Sequence, residues 1–172
     1  MKSGGYLFIF LMLFSLSGFA VPLSDVYQAA QPGAGFDRVL QLEAGEVYTG
    51  SQVIFGEKVA IRGNGAIIDL QGGAIIAIGS GLLDIDGCVL INGSDALSIA
   101  DNMRTTVSNC VFYGNTNGIQ HTSYMAPLKI SNSIFMNQQN TAVSVYEENL
   151  VHMEYNVAYN NSGGHFLAGC GS

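Results

Sequence analysis

The chain has 172 residues and a formal charge of −7, from 13 acidic and 6 basic side chains. Hydrophobic residues make up 48% and charged ones only 11%, against roughly a quarter in an ordinary soluble domain, which excludes a disordered acidic tail. So few Lys and Arg also argue against a nucleic-acid partner, since neutralising phosphates needs a basic patch.

Met1 and Lys2 form a short positive start, Tyr6 to Phe14 is an unbroken apolar run, and Gly18 and Ala20 place small residues third and first before a cut after Ala20. That pattern predicts a secretory signal peptide over residues 1–20. The apolar run is short for a membrane span, and no Cys follows the cut to carry a lipid anchor. The expected product is secreted, extracellular or periplasmic, with no membrane attachment after cleavage.

From residue 39 onward the sequence repeats. Apolar centres fall at Ile61, Ile85, Val107, Ile130 and Met153, in steps of 24, 22, 23 and 23 residues. Two residues before each centre stand Val59, Leu83, Thr105, Leu128 and Val151, the alternation of a strand with one buried face. Gly or Asn stands two residues past each centre except the last, where Tyr155 replaces it; Gly and Asn suit a left-handed bend. A further apolar run closes each unit, for example Ala96–Ile99 and Ala142–Val145. Three short strands per unit are too few for a propeller blade and lack helical spacing. They fit one coil of a parallel β-helix, an all-β solenoid of about five to six coils over residues 39–172.

The segments Gln28–Gly33, Val39–Gly50 and Val59–Asp69, with the later Ser-Asn-Ser-Ile-Phe type coils such as Ser131–Phe135, resemble the right-handed parallel β-helix (pectin-lyase-like) superfamily. That superfamily includes polysaccharide lyases, glycoside hydrolases and surface proteins, so the likeness speaks to fold more than to reaction. It implies a short amphipathic helix over the N-terminal coil within residues 21–38, with Ser24 as its cap, Asp25 in its first turn, Val26, Ala29 and Ala30 as its apolar face, and Pro32-Gly33 as its stop. No matching cover is evident at the C-terminus. The stack is therefore expected to be cut short there, or to associate through an open last coil.

Residues flanking each centre point outward. One column reads Ala60, Asp84, Thr106, Lys129, His152; the other reads Arg62, Asp86, Ser108, Ser131, Glu154. Asp84 and Asp86, about 6.5–7 Å apart along one strand, are candidate metal ligands, since a hard cation such as Ca²⁺ wants oxygen donors. Lyases of this fold commonly combine Ca²⁺ with a Lys or Arg that removes the proton α to a uronate carboxylate. On that implication Lys129 or His152 is the candidate catalytic base, with Arg62 and Glu154 as substrate-binding residues. No family catalytic motif is present, so these roles rest on placement alone, and a merely solvated face is the alternative. Hydrolysis would need carboxylates on both sides of one bond, and Glu154 lies about 14 Å from Asp86 by strand spacing.

His121 is expected to face inward as a packing residue. Cys88 and Cys110, 22 residues apart, are expected to stack in successive coils, as a disulfide or as two buried thiols; Cys170 has no evident partner. The leading expectation is an exported, carbohydrate-directed β-helix protein acting on an acidic polysaccharide, with a Ca²⁺-assisted uronate lyase as its sharpest form. The alternative is a non-catalytic surface or adhesion module, or the remnant of a longer enzyme.

Overall fold

The computed structural model describes residues 20–168. The expected leader, apart from Ala20, and Cys170 lie outside the described residues. Within them the chain winds as a β-solenoid of about six coils, each contributing one strand to each of three sheets. Sheet 1 contains Gln31–Gly33, Phe36–Gln41, Lys58–Arg62, Ser80–Asp86, Asn102–Ser108, Leu128–Ser131 and Val151–Glu154. Sheet 2 contains Val21–Pro22, Val47–Thr49, Ile67–Asp69, Val89–Ile91, Val111–Tyr113, Ile134–Met136 and Val157–Tyr159. Sheet 3 contains Gln52–Phe55, Ile75–Ile78, Asp95–Ile99, Asn117–His121, Thr141–Val145 and Gly164–Ala168. All neighbouring strands pair in parallel except Gln31–Gly33, which runs antiparallel to Phe36–Gln41.

The repeat read from the sequence is the register of sheet 1: Leu40, Ile61, Ile85, Val107, Ile130 and Met153 stand opposite one another in successive coils. Ile61, Ile85, Val107 and Ile130 are fully buried, whereas Met153, on the last coil, is exposed. In sheet 2 the inward column holds Ile68, Leu90, Phe112 and Phe135, and the two Phe rings stack with centroids 4.6 Å apart. Stacking like on like is what an in-register parallel solenoid requires, because each side chain packs chiefly on its equivalents one coil away. Cys88 and Cys110 stack in the same manner, as two buried free thiols.

A helix over Leu23–Ala29 covers the N-terminal coil. Its details differ from expectation. The N-cap is Pro22, without a side-chain cap, and Ser24 lies inside the helix with its hydroxyl directed to Asp25. Ala29 is exposed. The buried face runs Leu23, Val26, Tyr27, Ala30, the i, i+3, i+4, i+7 stripe of a helix lying on a core. Tyr27 Oη donates to Glu57 at 2.7 Å, and Arg38 pairs with Glu57 at 2.8 Å while lying over the Tyr27 ring. Burial, followed by the bond to the Glu57 carboxylate, pushes the Tyr27 phenol up to about 12, so it stays a donor.

Left-handed residues mark the bends: Gly87, Asn109 and Asn132 after the strands of sheet 1, and Asn92, Gly114, Asn137 and Asn160 after those of sheet 2. Tyr155 takes φ 57° at the position where its predecessors are Gly or Asn. The stack imposes the bend although the side chain disfavours it, at a cost of about 1–2 kcal/mol for an ordinary L-residue. Tyr155 is 82% exposed, so little packing is lost on replacing it. Tyr155→Asn is therefore expected to stabilise the protein by about 1 kcal/mol, read as a higher denaturation midpoint by circular dichroism; an unchanged or lower midpoint contradicts the strain.

Candidate functional site

Every Lys and Arg of the chain except Lys2 lies on a strand of sheet 1: Arg38, Lys58, Arg62, Arg104 and Lys129. A chain of net charge −7 thus gathers its cations on one side. Both outward columns read from the sequence are present in register. Ala60, Asp84, Thr106, Lys129 and His152 align across five coils, as do Arg62, Asp86, Ser108, Ser131 and Glu154.

The end of this face nearer the helix is internally satisfied. Arg62 Nη2 lies 2.7 Å from Asp84 Oδ2, and the guanidinium sits over the Phe36 ring. Asp86 Oδ1 accepts from Ser108 Oγ and from Asn109 Nδ2, each at 2.7 Å. The Ser108 bond, with help from Asn109 and the Arg62 charge, outweighs burial and holds the Asp86 carboxyl below the usual carboxylate range. This donor set does not fit the expected Ca²⁺. Two carboxylates fall short of the six to eight oxygens Ca²⁺ takes, and the guanidinium on Asp84 would repel the ion. Among the described residues no three His, Cys, Asp or Glu side chains gather as a metal-holding group. Arg62 is committed to Asp84 and is poorly placed to receive a substrate carboxylate.

The far end is different. Lys129 Nζ lies 3.0 Å from Glu154 Oε1 and His152 Nε2 lies 3.5 Å from Glu154 Oε2. The Lys129 ammonium is the main cause of a depressed Glu154 carboxyl, with His152 a lesser one. These side chains are well exposed, so the pairs are labile and contribute little to stability. Beside them runs a groove of about 210 Å³ whose walls include Leu82, Arg104, Pro127, Lys129, Leu150 and His152. Arg104 is exposed and makes no ion pair among the described residues.

Two loops build this groove. Thr122–Pro127 joins sheet 3 to sheet 1, and Ser123 Oγ organises it by donating to Asp101 O and accepting from the backbone of Met125 and Ala126. His121, fully buried as expected, contacts Ala126 O through Nε2 at 3.1 Å. Burial lowers its pKa, which keeps the ring neutral with Nε2–H as the donor. The second loop places Leu150 through a short 3₁₀ turn over Glu148–Leu150.

The outward-column reading captured Lys129 and His152 but missed Arg104. The signal was available: Asn102–Ser108 alternates, so Arg104 faces outward two residues before Thr106. It belongs to a third outward column with Lys58 and Leu82.

Residues 47–172 match a family model described as "Right handed beta helix region". No curated protein and no solved structure matches the chain.

Proposed function

The chain belongs to the right-handed β-helix family, and from that premise we propose that it is an exported, carbohydrate-directed member whose sheet 1 groove binds an acidic polysaccharide. One observation carries this reading: Arg104, Lys129 and His152 line one groove together with the apolar Leu82, Pro127 and Leu150. Apolar lining suits the face of a sugar ring, and the cations beside it suit a ring carboxylate, with Arg able to grip it through two parallel hydrogen bonds. The groove crosses neighbouring coils, so a polymer running along the stack would meet a cation on successive strands, about 4.8 Å apart.

Cleavage is the second reading. It is favoured by His152 standing exposed beside Lys129, so that one cation can neutralise a uronate carboxylate while a neutral imidazole accepts the α-proton, the C4–O bond to the leaving sugar breaks as the C4=C5 double bond forms, and water protonates the leaving oxygen. No step here is routed through Ca²⁺, whose candidate ligands are engaged with Arg62, Ser108 and Asn109.

The test is calorimetric titration of the purified protein with polygalacturonate, alginate and a neutral glucan, at low and at physiological salt, while following the ultraviolet absorbance of unsaturated uronate ends. Binding to the acidic polymers alone is expected. It should weaken as the Debye length shrinks from about 30 Å at 0.01 M to about 8 Å at 0.15 M. Equal binding of the neutral glucan, or none of any polymer, overturns the proposal. Binding without absorbance gain retires the cleavage reading only.

A further inference from the structure

The last three strands of sheet 3 carry a second groove, of about 450 Å³, whose lining includes Gln120, Thr122, Ser144, Tyr146 and Leu167. Gln120, Ser144 and Leu167 occupy one outward column on successive coils. Tyr146 is 49% exposed, and the Tyr124 ring meets it edge-on with centroids 6.4 Å apart, which steadies its orientation. Two features of the lining are chemical. It contains no Asp, Glu, Lys or Arg, and the one such residue on the strands of sheet 3, Asp95, already accepts from Asn117 Nδ2 at 2.8 Å. Gln120 and Ser144 are half-buried, yet neither side chain makes a hydrogen bond among the described residues, whereas Thr122 Oγ1 is spent on Ile99 O at 3.2 Å. In the first coils the same column holds the apolar Val53 and Ile76; the amide stands where the groove is.

We infer that this groove binds a neutral acetamido sugar, with Gln120 and Ser144 reading the acetamido group and Tyr146 stacking on the ring. The volume is that of a small-molecule cleft, roughly 300–1,000 Å³, in which apolar lining and a few placed polar groups fix a ligand. The absence of ionic side chains from the lining selects a neutral ligand, because a charged one would be desolvated without a partner. The unused polar groups select the substituent. An acetamido group directs its C=O and its N–H to opposite sides. Gln120 can donate to the first through its amide nitrogen and Ser144 Oγ can accept from the second, and the two residues lie on neighbouring coils. Leu167, on the next coil of the same column, offers apolar contact to the methyl group. Tyr146 presents a flat apolar face to the ring and a hydroxyl to its polar edge. A sugar with a plain hydroxyl in place of the acetamido group loses the amide pair and the methyl contact together.

Calorimetric titration of the purified protein with tri-N-acetylchitotriose and with cellotriose, which carries hydroxyls where the first carries acetamido groups, tests this. The acetamido trimer should bind at a single site, and cellotriose at least about tenfold more weakly. Gln120→Leu keeps the bulk of the side chain and removes its hydrogen-bonding groups, and Tyr146→Ala removes the ring; each should weaken the trimer at least about tenfold. Neither side chain has a hydrogen-bond partner to strand among the described residues, and circular dichroism checks both folds. Val53→Ser, in the same outward column and outside the groove, should leave affinity unchanged. No binding of the trimer at millimolar concentration, equal binding of cellotriose, or affinity that survives either groove substitution overturns the inference. Equal binding of N-acetylglycine amide does the same, since the amide is then read without the ring. None of the polymers that test the sheet 1 groove carries an acetamido group, so the two readings stand or fall separately.

Discussion

Asn115→Ala should lower stability by about 4 kcal/mol, a large part of the roughly 5–15 kcal/mol that holds a typical domain folded. Asn115 is fully buried at the bend after sheet 2. Its Oδ1 accepts the Gly93 N–H at 2.7 Å from the preceding coil, and its Nδ2 donates to Leu90 O at 3.1 Å. Its own N–H is taken by Gln138 Oε1 at 3.0 Å, and the Gln138 N–H is taken in turn by Asn161 Oδ1 at 3.0 Å. Gln138 and Asn161 repeat the downward bond, to Phe112 O and Phe135 O. The result is a polar ladder inside an apolar stack, in which each amide serves two backbone groups that water cannot reach. Truncation strands both, at about 1–3 kcal/mol for each buried group left without a partner. Asn115→Gln should cost less, because Gln138 makes the same pair of bonds one coil later. Asn149→Ala, which removes an exposed bond to Glu147, should cost under about 0.5 kcal/mol. Urea denaturation followed by circular dichroism measures all three. A loss below about 1 kcal/mol for Asn115→Ala would mean that the bend relaxes or admits water.

The ladder also shows where reading the sequence stops. The coil period and the register of sheet 1 were legible because a parallel stack forces equivalent residues to recur at nearly equal steps, and Ile61, Ile85, Val107 and Ile130 do so. The abundance of Asn was legible only as a preference for bends. Asn92, Asn109, Asn132, Asn137 and Asn160 do take left-handed conformations. Asn115 and Asn161 stand one residue past such a bend and point inward, a difference of one position that composition cannot express. Gln138 conceals the column further, since it does the work of an Asn with another side chain. For the candidate site, membership of the outward columns was legible and pairing was not. Which carboxylate Arg62 takes depends on side-chain reach between coils, and the groove exists because two loops of unlike sequence bring Pro127 and Leu150 beside Arg104. The helix cap failed for a related reason. Ser24 is a good cap residue in isolation, but the need to bury Leu23 at the end of the stack starts the helix two residues earlier than Ser24 as cap would.

Reversing both groove cations, with Arg104→Glu and Lys129→Glu together, should weaken binding of the acidic polymers by at least about 100-fold. A hydrogen bond to a charged group contributes about 1.5–3 kcal/mol, two are lost, and each new carboxylate repels the polymer in addition. Folding should survive, since Arg104 has no ion pair to lose among the described residues and the Lys129–Glu154 pair is an exposed one of small energy. Lys58→Glu controls for a general change in charge. Lys58 shares the outward column of Arg104 two coils away, outside the groove, so its reversal should alter affinity by no more than about threefold. Glu154→Gln pushes the other way. It removes the carboxylate that partly neutralises Lys129, and affinity should rise severalfold at low salt and converge on the wild type as salt screens the difference. Opposite signs from two variants on neighbouring strands of one sheet are hard to obtain from misfolding. If reversing Arg104 and Lys129 leaves affinity within threefold while Lys58→Glu lowers it equally, the polymer is reading overall charge and the groove is not its site.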